Sequence, residues 1–220
     1  LTTADYTIAI GSQAIGLGVT TGDHNIALGR FSGYDLTSGH NNFFAGFYAG
    51  FNVTTGIYNI SQGFQAGYDA TTGSYNIFQG YQAGYNATTV SNTIAIGRAA
   101  IGTGVLTGDS NTVVGYEAGM DLTSGHNNSF FGMRAGYNAT TTTYSVAIGR
   151  YAFGAGVLTG TSNIAVGLEA GYDLTSGTYN FFGGYRAGYN ATTANNTVAI
   201  GKNAIGLGVL TGNNNVAIGQ

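Results

Sequence analysis

The sequence predicts an all-β fold: a parallel β-solenoid or β-roll of about 13 short coils, each of 17–18 residues. Three observations carry that prediction. A five-residue stretch, Asn163-Ile164-Ala165-Val166-Gly167, recurs from Thr7-Ile8-Ala9-Ile10-Gly11 to Asn215-Val216-Ala217-Ile218-Gly219. From Gly11 to Gly219 its closing glycine returns at Gly29, Gly46, Gly63, Gly80, Gly97, Gly115, Gly132, Gly149, Gly167, Gly184 and Gly201, always in steps of 17 or 18 residues. Charged residues make up only 7% of the chain, against roughly 25% in ordinary globular domains. Beside them stand 39 glycines, 16 tyrosines and 12 phenylalanines, so uncharged groups must cover or bury an unusual share of the surface.

In chain order, residues 1–220 read as a single repetitive segment. Ile, Val and Phe fill about four to five residues before each glycine, bounded by Gly, Asn, Ser and Thr; that suits a short strand and is too short for a helix. Coils group in threes into 52-residue super-repeats at 11–62, 97–148 and 149–200. Residues 63–96 insert two further coils, and 201–220 form a partial coil. The first coil of each group has 18 residues and carries an extra apolar residue: Ile15, Ile101, Phe153 or Ile205. With strands about 4.8 Å apart, about twelve periods would make a rod of roughly 60 Å. Arrays need polar caps to stay soluble. Leu1-Thr2-Thr3 aligns with the middle of a coil and Gln220 follows a repeat glycine, so a fragment of a longer fibre is expected.

Equivalent positions of a solenoid stack into columns. Two residues before the glycine stands Ala (Ala27, Ala95, Ala165) or Phe (Phe44, Phe130, Phe182), with mostly Ile, Val or Phe on either side. Alternation makes both strand faces apolar, and such a strand is expected to be buried on both. A thin coil buries one, so the other is expected to meet another chain in a homo-oligomer. Asn25, Asn42, Asn59, Asn76, Asn111, Asn128, Asn163, Asn180 and Asn215 form an amide column suited to an axial hydrogen-bond ladder. In the column Asp35, Asn52, Asp69, Asn86, Asp121, Asn138, Asp173, Asn190, no Asp stacks on Asp, which avoids facing like charges. Asx turns explain it, and the alternation works against a calcium site. Glu117 stacks under Arg134 and Glu169 under Arg186, as register locks. Tyr34, Phe51, Tyr68, Tyr85, Tyr137, Tyr172 and Tyr189 stand five residues after the glycine. Stacking between strands accounts for them; the functional reading is an amphipathic strip that grips sugars or partner surfaces.

No motif for chemistry competes with the repeat. A net charge of −3 leaves no basic footprint for nucleic acid. No apolar run approaches the roughly 20 residues of a spanning helix, so no membrane insertion is expected of this segment. Without cysteine there is no disulfide or thiolate chemistry. His40 and His126 sit in equivalent Gly-His-Asn-Asn loops with no convergence toward a metal, and His24 stands apart. Gly206-Leu207-Gly208 follows a strand but opens no helix, so a nucleotide cradle is unsupported. No catalytic, cofactor-binding or metal-binding residue is expected, and no enzyme. Asn52, Asn86, Asn138 and Asn190 lie in N-glycosylation sequons and are candidate attachment sites.

Val146-Ala147-Ile148-Gly149 and its relatives resemble the head repeats of trimeric autotransporter adhesins. The pattern N-x-A-x-G-x-x-A-G-Y with Leu-Thr-Ser-Gly is similar to repeats in bacteriophage tail-fibre proteins. The resemblance implies three interlocked chains in a β-roll: a homotrimer, extracellular, on a cell surface or on a virion. It implies a structural fibre or adhesin shaft, a rigid spacer attaching to a cell-surface or glycan receptor; a filament is a variant. The alternative is a repetitive ice- or carbohydrate-binding solenoid, suggested by Thr-rich loops such as Thr140-Thr141-Thr142-Thr143. A β-helix transferase is a third reading, but it wants three hexapeptides per coil and only one, such as Ile148–Phe153, occurs here.

Overall fold

A computed structural model describes residues 4–16, 19–206 and 208–220; the expectations placed on Leu1-Thr2-Thr3 and on Leu207 lie outside the described residues. The chain is an all-β parallel solenoid. It divides into two units, Leu1–Ser110 and Asn111–Gln220. The first holds β1 (Ile8–Ile10), β2 (Ile26–Leu28), β3 (Phe43–Ala45), β4 (Ile60–Gln62), β5 (Ile77–Gln79) and β6 (Ile94–Ile96). The second holds β7 (Thr112–Val114), β8 (Ser129–Phe131), β9 (Val146–Ile148), β10 (Ile164–Val166), β11 (Phe181–Gly183), β12 (Val198–Ile200) and β13 (Val216–Ile218). Within each unit, strands pair in parallel with their sequence neighbours and keep the repeat in register, as Ala27 faces Phe44 and Ala165 faces Phe182.

The strands are three residues long, shorter than the four to five expected. Two backbone features cut them. The residue five before the closing glycine is left-handed, as at Asn41 (φ 59) and Tyr144 (φ 56). The closing glycine itself sits near φ +130, and a Cβ on Gly184 would lie 2.6 Å from the Gly201 carbonyl oxygen of the next coil. A second left-handed corner falls two residues after the glycine, on bulky residues such as Phe31 (φ 58), Glu117 (φ 52) and Arg134 (φ 55). Such a conformation costs about 1–3 kcal/mol in a residue with a side chain. Neighbouring coils offset part of this by pairing the corner side chains: Phe31 stacks on Tyr48 with centroids 4.9 Å apart.

The Ala/Phe column points inward. Phe44, Phe130 and Phe182 are fully buried, together with small residues three after the glycine (Ala49, Ala135, Ala187) and residues such as Leu36 and Val53. The extra residue of the 18-residue coil has a packing role. Where the strand centre is Ala95 or Ala147, the coil adds buried Ile101 or Phe153. Where a ring already fills that space, glycine stands instead: a Cβ on Gly171 would lie 2.6 Å from the Phe153 ring and 2.8 Å from that of Phe182. Close packing of this kind tolerates little change of volume.

The amide column forms the expected ladder. Asn42 donates from Nδ2 to Asn25 Oδ1 at 3.1 Å and to the Gly56 carbonyl at 2.8 Å. The Asn42 backbone N–H donates to the same Oδ1 at 3.0 Å. Burial leaves such groups no water to turn to, so the pairing is obligatory. A hydroxyl residue ends each run: the Thr93, Ser145 and Thr197 backbone N–H groups donate to Asn76, Asn128 and Asn180. Among the described residues, Ser61 Oγ is the one buried side-chain polar atom without a hydrogen-bond partner.

Candidate functional site

The proposed aromatic strip is assembled in part. In the first unit Tyr34, Phe51, Tyr68 and Tyr85 form one stack, with centroids 4.9, 5.1 and 5.0 Å apart and planes within 12° of parallel. In the second, Tyr172 and Tyr189 stack at 4.8 Å. Tyr137 stands apart from that pair, under the Arg134 guanidinium at 5.0 Å. The strip is interrupted where the fifth position is Gly102 or Gly154, in 18-residue coils, and at Met120 in a 17-residue coil. Parallel stacking turns ring faces toward one another, leaving edges and phenol hydroxyls for a ligand. Burial, and then the neighbouring Tyr85 and Asp69, pushes the Tyr68 phenol above the usual tyrosine value. Burial acts first on Tyr85, Tyr172 and Tyr189 in the same direction.

Beside it runs the Asp/Asn column, whose amides tie coil to coil. Asn52 donates to Asp69 Oδ1; Asn86, Asn138 and Asn190 donate to the Thr103, Ala155 and Gly206 carbonyls at 3.1, 2.8 and 3.0 Å. The sequon side chains are thus half-buried, with Nδ2 turned toward the adjoining coil. Burial raises the Asp173 carboxyl. The charged pairs form as the stacking predicts: Arg134 Nε to Glu117 Oε2 at 2.7 Å and Arg186 Nε to Glu169 Oε2 at 2.6 Å. Arg134 also donates to the Tyr151 hydroxyl, and both arginines are pushed up, chiefly by the bond to their glutamate. His24 stacks on Tyr6, while His40 and His126 meet Tyr58 and Tyr144 edge-on. Among the described residues, no group of three His, Cys, Asp or Glu side chains could hold a metal ion.

The outer strand face is the larger surface. The residues on either side of the buried strand centre point away from the core; Ile60, Phe131, Ile148 and Ile200 are each about two-fifths exposed. Among the described residues, no charged residue occurs in the thirteen strands. Bulk is conserved pairwise across the face: Phe43 is matched by Ala45, Phe131 by Ser129 and Phe181 by Gly183. Gln62 and Gln79 break the apolar run; Gln79 Nε2 donates to Gln62 Oε1 at 3.2 Å. A separate loop column exposes one hydroxyl per coil, eight residues before the closing glycine: Thr21, Ser38, Thr55, Thr72, Thr89 and Thr107 in the first unit. Ser124, Thr141, Thr159, Ser176, Thr193 and Thr211 continue the pattern in the second. The Thr-rich loops signal part of the hydroxyl column in the sequence, whereas the two glutamines carry no signal of their own there. Comparing the positions one and eight residues before each closing glycine, coil by coil, brings out both.

No protein-family model matches the chain, and no curated protein or solved structure shows significant similarity to it.

Proposed function

We propose that this chain is a structural segment, a fibre or adhesin shaft that works as a homo-oligomer, with three chains preferred. It acts as a rigid spacer outside the cell or on a virion, attached to a surface or glycan receptor, and not as an enzyme. One observation carries the reading: every coil presents a charge-free, mostly apolar strand face to the outside, while its interior is already filled. Exposed apolar surface of that extent marks an interaction site. Apolar, charge-depleted composition characterises the centre of an interface between subunits. Columns that hydrogen-bond from coil to coil supply the stiffness a spacer needs. The test is native mass and shape in solution, by light scattering with small-angle X-ray scattering. A mass of about three chains in an elongated particle supports the reading; a clean monomer overturns it.

A second reading, a repetitive ice- or carbohydrate-binding solenoid, is favoured by the exposed hydroxyl column, which repeats from Thr21 to Thr211 among the described residues. Thermal hysteresis that disappears in a Thr55→Val/Thr72→Val variant would support it over the shaft.

A further inference from the structure

We propose that Gln62 and Gln79 are the register key of the assembled fibre, fixing the axial level at which parallel copies of this chain pack side by side. The inference rests on the homo-oligomer reading above. It begins from a degeneracy. In the first unit the outer residue preceding each strand centre is Ile8, Ile26, Phe43, Ile60, Ile77 or Ile94. Two copies packed through this column would fit almost as well after sliding by one coil as in register. A device must exclude the slip, and the column after the strand centres supplies one candidate. It reads Ile10, Leu28, Ala45, Gln62, Gln79, Ile96, with the two amides adjacent and exposed.

The amides are suited to the task. Only one bond joins them within the chain, from Gln79 Nε2 to Gln62 Oε1. Each glutamine offers two N–H donors and an acceptor with two lone pairs, so capacity remains for a facing copy at the same level. In register, Gln62 meets Gln62 and Gln79 meets Gln79 of the neighbour. After a one-coil slip, one Gln79 faces Ile96 and one Gln62 faces Ala45, and desolvated amides are left without partners. A single polar residue in an apolar seam sets register in coiled coils by the same logic.

A second copy is the occupant the face describes. Only a partner with the same coil rise can meet knobs at every coil, and the pairwise conservation of bulk at Phe43/Ala45 serves no purpose against solvent. Charged side chains border the face instead of entering it: Arg30 and Arg98 each follow a closing glycine, outside the strands. That is the layout of an apolar interface centre with a polar rim.

The chain has no cysteine, which permits a direct test. Full-length chains carrying Leu28→Cys or Ala45→Cys are mixed in equal amounts, assembled and oxidised. The disulfides are then identified by peptide mass. Like-with-like disulfides report the true register; a 28-to-45 disulfide reports a one-coil slip. With native glutamines the slipped product should be about one-tenth of the total or less; with Gln62→Ile/Gln79→Ile it should rise about threefold or more, toward the half expected of free sliding. Isoleucine fills this position in other coils, so the variant keeps its fold, checked by circular dichroism. A monomeric mass would remove the homo-oligomer reading and the register key with it. An oligomer whose disulfide ratio ignores the glutamines overturns the register key alone. So does one in which neither disulfide forms, since the interface then lies elsewhere.

Discussion

Gly183 and Gly184 are neighbours, and the same substitution should act on them in opposite directions. Gly184 sits at φ +129, where an L side chain is strained by about 1–3 kcal/mol. Its added Cβ would lie 2.6 Å from the Gly201 oxygen and 2.9 Å from the Gly201 carbon. Those atoms are backbone of the next coil, held by the bond from Gly201 N–H to the Gly183 carbonyl at 2.8 Å. Relief requires opening two coils by several tenths of an ångström, an overpacking cost of about 1–3 kcal/mol. Gly184→Ala should therefore destabilise by about 2–6 kcal/mol. At Gly183 the added Cβ meets only the partly exposed Phe181 ring, at 3.1 Å, on ordinary strand backbone. Gly183→Ala should be neutral or stabilise by up to about 1 kcal/mol, because alanine restricts the unfolded chain more than glycine does. Urea and thermal melts followed by circular dichroism read both variants. Equal shifts, or a harmless Gly184→Ala, would refute the claim that the glycine column is set by contact between coils.

Three further outcomes follow from the columns. Asn128→Ala removes the Nδ2 donor to the Thr142 carbonyl (2.8 Å) and the acceptor of the Ser145 N–H (3.0 Å). With both groups stranded in the core, urea denaturation should show a loss of about 2–4 kcal/mol. Ser61→Ala deletes a buried hydroxyl without a partner at a position that is alanine in other coils. It should raise the melting temperature, corresponding to about 1 kcal/mol, and a fall would show that the hydroxyl has a partner. The stacked phenols of Tyr68, Tyr85, Tyr172 and Tyr189 are raised, so their contribution is complete below the unfolded value of roughly pH 10 and is lost as pH climbs through the folded values. Tyr68→Phe, which copies Phe51 in the same stack, should blunt that alkaline loss; an ultraviolet titration in which Tyr68 ionises with the exposed tyrosines would contradict it.

Much of the architecture is readable from spacing alone. Steps of 17 and 18 residues locate every strand, and stacking coils on their glycines brings Glu117 to Arg134 and Asn25 to Asn42. Column arguments succeed because a parallel solenoid places equivalent residues about 4.8 Å apart, whatever the path of the coil between them. Conformation at the corners is less legible. Left-handed backbone normally announces itself as Gly or Asn, yet here Phe31, Glu117 and Tyr151 adopt it, because tertiary packing overrides local preference. The strand length is misjudged for the same reason. The compensation between Ala147 and Phe153 needs three dimensions, since nothing local ties a strand centre to a residue six positions later. Of the candidate strip, the stack of Tyr34, Phe51, Tyr68 and Tyr85 follows from the column, and so does the separation of Tyr137, whose column neighbours are Met120 and Gly154.

The inter-coil bonds have a bearing on how the molecule is made. Most side-chain ladder bonds join residues 17 or 18 apart, as do the strand pairings. Each new coil within a unit therefore closes a loop of nearly the same length, at a nearly constant entropic charge of about 2.5 kcal/mol. Assembly becomes a zipper: one slow first closure, then equal steps, each templated by the coil before it. A gene lengthened by one coil adds one more step of the same height and leaves earlier steps untouched. The two additional coils at 63–96 are what such an allowance looks like in a sequence, and coil number becomes a dimension that selection can set without redesigning the core.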